Sequence, residues 1–227
     1  MTNWLLLHGT PLTPAVWDDV AALLAANGDI ACPSVVPGDG PASEVQRTLA
    51  DQLWADTVGV APPWHVVGHS FGGQVAIELA VRKPELVDRL TLLCTRDSPY
   101  PPFATLAQTV QREPVDVDAS MRRWFSPAEM ASGAAAVEYA RDALQTADVR
   151  AWARALAAIA VFDATAATPT IGCPTLVVAA EHDAVSDPAS MSAMHRRLRR
   201  SRFVVLDGAW HMSVFTEPDR LVALLSR

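Results

Sequence analysis

The sequence predicts an α/β protein: a mostly parallel sheet with helices on both faces and a helical cap inserted in its second half. Three observations predict it. Short, nearly all-apolar runs alternate with longer helix-like patterns, as strands buried on both faces require. From about Asp97 to Thr170 that alternation stops and only helical patterns remain. Gly68-His69-Ser70-Phe71-Gly72 stands between an apolar run and a helical run, so it reads as strand, tight turn and helix.

The runs Trp4 to Leu7, Ile30 to Cys32, Trp64 to Val67, Leu90 to Cys94, Thr175 to Ala180 and Arg202 to Leu206 are the expected strands. Helices are expected at about Pro14 to Ala26, Ala42 to Thr57, Phe71 to Arg82, Pro188 to Leu198 and Pro218 to Leu225. Pro-rich Ser98-Pro99-Tyr100-Pro101-Pro102 opens the irregular region and Thr168-Pro169-Thr170 closes it. Inside it, Phe103 to Arg112, Val117 to Phe125, Pro127 to Gln145 and Val149 to Ile159 read as helices. The expected division is therefore a core of 1–96 and 171–227 with a cap of 97–170. A helical subdomain elsewhere on the surface is the alternative to a cap.

With 227 residues, half of them hydrophobic, the chain can bury a large core as one domain. A formal net charge of -7 and 19% charged residues carry no nucleic-acid footprint and no basic membrane-seeking surface. The arginine run Arg196, Arg197, Arg199, Arg200 and Arg202 reads as a solvated helix end rather than a binding patch. Cys32, Cys94 and Cys173 lie far apart with no C-x-x-C pair, as expected of buried thiols in a reducing compartment. The opening run Trp4 to Gly9 is too short for a membrane span and lacks the flanks of a signal peptide, so a cytoplasmic location is expected. Ligand spacing suggests no metal site, and no cofactor is expected.

The Gly-x-Ser-x-Gly turn carries the chemistry. A turn this sharp strains the serine backbone, and glycines at minus two and plus two avoid collisions between strand and helix. The hydroxyl of Ser70 then stands clear of the sheet at the positive end of the next helix, as a nucleophile needs. A serine is weak until a base takes its proton. Of six histidines, His8 and His69 lie in glycine-flanked turns, His65 lies in a strand, His195 in the arginine-rich helix, and His182 beside a candidate acid. His211 follows the last strand, on a loop able to swing over the sheet edge, and is the expected base.

The imidazole needs a carboxylate to hold its tautomer. Asp183, just past the strand Leu176 to Ala180, is favoured. Asp97 is the serious rival, Asp187 is also suited to capping a helix, and Asp207 precedes His211 too closely. An oxyanion needs donors already aimed at it. The Phe71 N–H is one, and Thr10 is the expected second because Pro11 has no N–H.

Leu5-Leu6-Leu7-His8-Gly9 with Trp17, Gly68 to Gly73, Leu176 to Asp183, and Gly208-Ala209-Trp210-His211 with Glu217-Pro218 together resemble the α/β-hydrolase family over essentially the full length. The order Ser70, Asp183, His211 is that family's triad order. Family members usually carry two further strands before the His-Gly strand, so a shortened sheet is expected. The cap stretch Arg122 to Pro127, Leu144 to Arg150, and His211-Met212-Ser213 are similar to 3-oxoadipate enol-lactonases, although generic esterases also carry Arg-Trp-Phe caps. Trp124, Arg123 and Phe125 are the candidate substrate contacts, with cap packing or solvent exposure as their alternatives.

The resemblance implies a serine hydrolase acting on small carboxylic esters or lactones, with a small-molecule partner. Two readings stand beside it: the same triad used for C–C hydrolysis, elimination or cofactor-free perhydrolysis, and a ligand receptor of low turnover. Oligomeric state is not legible.

Overall fold

The computed structural model describes residues 2–56 and 60–226, and the expected helix end at Thr57 lies outside them. Its strands are β1 (Asn3–Leu7), β2 (Ile30–Ala31), β3 (Trp64–His69), β4 (Val87–Leu93), β5 (Thr175–Ala180) and β6 (Ser201–Leu206). They form one six-stranded sheet in the order β2-β1-β3-β4-β5-β6, parallel throughout. Before β4 lie the helices α1 (Asp18–Leu24), α2 (Val45–Asp56) and α3 (Phe71–Arg82). Between β4 and β5 come α4 (Pro102–Arg112), α5 (Val117–Trp124), α6 (Pro127–Ser132), α7 (Ala135–Gln145) and α8 (Val149–Val161). The chain ends with α9 (Pro188–Arg197) and α10 (Pro218–Leu225) on either side of β6.

Successive side chains of a strand point to opposite faces, and both faces are covered, which explains the nearly continuous apolar runs. Leu5, Leu7, Val66, Leu90 and Val177 pack with Val45, Leu49, Val75, Leu79 and Met191 from α2, α3 and α9. Their neighbours Leu6, Val67, Leu93 and Val178 pack on the other face with Val20, Leu24, Leu221 and Leu225 from α1 and α10. The helices between β4 and β5 join both layers: Ala155, Ala158 and Ile159 belong to the first cluster, and Met121, Phe125, Leu144 and Leu156 to the second.

Several expected boundaries shift for local reasons. The helix expected over Pro127 to Gln145 is two helices, because Gly133 takes a left-handed conformation (φ 67°) and ends α6. A capping box between Ser126 and Glu129 starts α6, and carboxylates of Asp116 and Asp148 cap α5 and α8. The helix expected from Pro14 opens as a 3-10 turn over Pro14–Trp17 before α1. Strand β4 begins three residues before Leu90 and stops at Leu93, since Cys94 turns to φ 46°.

Candidate active site

Strand β1 is flanked by β2 on one side and β3 on the other, so the chain reverses direction across the sheet at this point. The carboxyl ends of β1 and β3 therefore open a crevice, the usual place for a site in a parallel sheet. Ser70 follows β3 and Thr10 follows β1.

Ser70 has φ 53° and ψ -120°, a conformation that L-residues rarely adopt. Close approach enforces it. A Cβ on Gly68 would stand 2.6 Å from the Gly72 carbonyl oxygen and the Gly73 Cα, and one on Gly72 would strike the carbonyls of Leu7 and His8. The end of β4 pins the turn from the other side. The Ser70 N–H donates to the Leu93 carbonyl at 2.9 Å, and the Thr95 hydroxyl donates to the Ser70 carbonyl at 2.7 Å. Thr95 went unnoticed in the sequence, where its one signal is its position just past a strand.

His211 lies on the loop after β6. Its Nδ1–H donates to Asp183 Oδ2 at 2.6 Å, which leaves Nε2 as the bare ring nitrogen. The other oxygen of Asp183 accepts from the N–H groups of Val185 and Ser186 at 2.9 and 3.0 Å. Burial alone would push the Asp183 carboxyl up. The His211 charge and hydrogen bond, with the two amides, outweigh burial and hold it below the usual carboxylate range. His69 donates from Nε2 to the His211 carbonyl at 3.0 Å, tying the serine turn to the histidine loop. Burial first, and the neighbouring His211 second, lower His69 to about 3, so it stays neutral. The cap joins in: the Met212 N–H donates to the Trp124 carbonyl at 2.9 Å.

The rival carboxylates are occupied elsewhere. Asp97 is fully buried and holds Arg197 through two bonds of 2.9 and 2.5 Å. Arg197 therefore departs from the solvated helix end expected of the arginine run. Asp187 accepts from the Ala189 and Ser190 N–H groups at the start of α9, and Asp207 is exposed.

Ser70, Asp183, His211 and Thr10 line one narrow cavity of about 40 Å³. The cap closes it with Phe103 and Leu106 of α4, Arg123 and Trp124 of α5, and Trp152, Leu156 and Ile159 of α8. Two of the three expected cap contacts are present. Phe125 is not among the lining residues: it is fully buried in the apolar cluster with Trp17, Val67 and Leu144. A second cavity of about 150 Å³ shares Thr10 and Trp152 with the first, so Trp152 borders both.

Phe71 opens α3, so its N–H has no acceptor within the helix. Among the described residues neither this N–H nor that of Thr10 donates to the protein. His8 works on the loop itself: Nε2 accepts from the Val35 N–H at 3.0 Å and Nδ1–H donates to the Gly9 carbonyl at 2.8 Å. Among the described residues, ligand atoms of His69, Cys94 and His211 lie within 4.8 Å of one another, a group that sequence spacing did not suggest. All three residues are buried, and His69 Nε2 and His211 Nδ1 are hydrogen-bonded within the protein.

The chain belongs to the alpha/beta hydrolase family, whose model matches residues 4–224. It is 28% identical to a pimeloyl-[acyl-carrier protein] methyl ester esterase of Neisseria meningitidis, over 96% of this chain and 74% of the relative. A thermophilic esterase from Thermogutta terrifontis superposes with a TM-score of 0.85 at 26% identity, covering 100% of this chain and 88% of the esterase. The enol-lactonase from Burkholderia xenovorans LB400 shares the fold with a TM-score of 0.87 at 20% identity, over 99% of this chain and 90% of the lactonase. Among the described residues, no helix is long and apolar enough to cross a membrane.

Proposed function

We propose that the protein is a serine hydrolase that cleaves small carboxylic esters or lactones through an acyl-enzyme. The observation that carries this reading is the 2.6 Å His211–Asp183 bond, lining the same cavity as a serine held at φ 53°. Asp183 keeps the proton on Nδ1, so Nε2 of His211 is free to accept the Ser70 proton. Ser70 Oγ attacks the carbonyl carbon, and the Phe71 and Thr10 amides receive the developing oxyanion. His211 then passes the proton to the leaving alcohol. A water activated by the same nitrogen clears the acyl group and returns the serine.

A cavity of about 40 Å³ supports small acyl and alcohol groups, being far below the roughly 300–1,000 Å³ of pockets for drug-sized ligands. Its cap wall is mostly apolar, with Arg123 as the cationic exception, held at 3.0 Å to the Ser120 hydroxyl. The names of the relatives, an esterase of a methyl ester and an enol-lactonase, fall in the same reaction class. The test is a parallel screen of short p-nitrophenyl esters, aliphatic lactones and an enol-lactone carboxylate against wild type and Ser70→Ala. Turnover of esters or lactones by wild type, lost in Ser70→Ala, is expected. Full activity in the variant would reject the assignment.

A further inference from the structure

Part of the arginine run lines a cavity at the opposite ends of the strands from Ser70. This cavity of about 560 Å³, much larger than the one at the serine, opens at the amino ends of β3, β4, β5 and β6. Four arginines line it and no acid does: Arg89 from β4, Arg202 from β6, and Arg199 and Arg200 from the turn before β6. Among the described residues, six arginines elsewhere in the protein are paired with acids, whereas others, such as Arg96, Arg123 and Arg196, reach only hydroxyl or carbonyl oxygens. Arg47, Arg82, Arg141, Arg154, Arg197 and Arg220 each hold a carboxylate. Among the described residues, Arg89, Arg199 and Arg202 hold none, and Arg200 reaches only the Gly172 carbonyl at 3.4 Å. In a chain with 25 acidic and 18 basic residues, four guanidinium groups thus line one cavity with no carboxylate among the lining residues.

The hydroxyls of Thr91, Thr175 and Ser201, also on the lining, are engaged by His65 and by the Cys173 and His195 carbonyls. Leu90, Leu176, Leu224, Leu225 and Pro174 make part of the wall apolar. His65 supplies a polar group from the interior. It is 5% exposed, with one ring nitrogen 2.8 Å from the Thr91 hydroxyl, and among the described residues the other ring nitrogen has no protein partner. The Trp4 ring stacks on it at 4.5 Å and fixes its plane. Burial, helped by the Arg89 charge, lowers His65 to about 4, so near neutral pH it meets a ligand as an uncharged imidazole.

We propose that this cavity is a second binding site, for an organic anion that joins a carboxylate or phosphate head to an apolar chain. Guanidinium forks bind either head in paired hydrogen bonds, and the leucines take the chain out of water. The head relieves the repulsion among the arginines, while the chain takes the leucine and proline part of the wall. The site is separated from Ser70 by the length of the strands, so its occupancy does not depend on the proposed catalysis.

The test is calorimetric titration of the full chain with octanoate, octyl phosphate, 1-octanol and inorganic phosphate. Wild type and Ser70→Ala are expected to bind at least one of the two amphipathic anions saturably and alike, and the tighter head identifies the source as carboxylate or phosphate. Octanol and inorganic phosphate are expected to bind at least tenfold more weakly. Arg89→Glu/Arg202→Glu is expected to weaken the anion at least tenfold. Arg199→Glu, in the exposed turn, provides the same comparison should the double variant fail to fold. Binding unchanged in the charge-reversed protein, octanol binding as tightly as octanoate, or no anion binding to wild type would each overturn the proposal.

Discussion

At Ser70 the backbone itself is under constraint, and the residues around it show why so few side chains would serve there. Gly68→Ala places a Cβ at 2.6 Å from backbone that cannot move aside. It is expected to cost about 1–3 kcal/mol, as overpacking does, and to lower the melting temperature. Gly38→Ala meets nothing within 4 Å and serves as the silent control. A melt of Gly68→Ala equal to wild type would show that the turn is looser than its contacts imply. Asp183→Asn keeps the shape of the site but loses the carboxylate that holds the His211 proton on Nδ1. Ester turnover is expected to fall by about 10⁴ in kcat, as for a triad acid replaced by its amide. A drop of less than tenfold would remove Asp183 from the mechanism. The placement of Ser70, His211 and the Thr10 loop just past strands was legible in sequence because each lies in a local motif. The sequence favoured Asp183 over Asp97 but held no sign of what occupies Asp97, because its partner Arg197 lies 100 positions further along the chain.

The elements carry two further expectations. Trp152 of α8 borders both the serine cavity and a second one of about 150 Å³ whose lining includes Leu12, Val35 and Ala151. Trp152→Ala is expected to join them and to raise kcat/KM for a p-nitrophenyl octanoate relative to the acetate by about tenfold, within the range that a few methylenes in a pocket provide. An unchanged ratio in a folded variant would show that the second cavity does not serve substrate. Arg197 of α9 neutralises a fully buried Asp97 beyond β4. Arg197→Met strands that carboxylate and is expected to cost about 3–5 kcal/mol, measured by urea unfolding. The helix break at Gly133 was illegible because Pro127 to Gln145 has helical periodicity throughout, and only the left-handed glycine interrupts it. Phe125 takes the cap-packing alternative, which the sequence left open because an aromatic residue beside Trp124 has the same pattern whether it faces substrate or cap interior. Residue periodicity fixes which face is apolar, not what covers it.

For the whole molecule, three buried histidines set the response to acid. His8, His65 and His69 are lowered to about 4, 4 and 3, in each case chiefly by burial. Below about pH 6.5 the unfolded chain binds protons at these positions that the folded chain does not, so stability falls as pH falls from about 6.5 toward 4. The lowered Asp183 carboxyl acts in the same direction at still lower pH, its contribution being lost as pH drops through its folded value. The melting temperature is expected to drop by roughly 5 °C or more between pH 7 and pH 4.5. His65→Gln, which removes one such proton, is expected to flatten the slope, and a pH-independent melt would contradict the account. The layered α/β architecture was legible because both faces of every central strand are buried. The pairing order β2-β1-β3-β4-β5-β6 was not, since apolar runs do not name their neighbours.

The central claim is that Ser70 forms a covalent bond with the acyl group it removes. The most direct measurement is mass spectrometry of the protein after reaction with a fluorophosphonate, with peptide mapping of the adduct and parallel loss of esterase activity. One adduct per chain on the peptide carrying Ser70, absent from Ser70→Ala, is the predicted result. An adduct mapped to another residue, or activity surviving stoichiometric modification of Ser70, would contradict it.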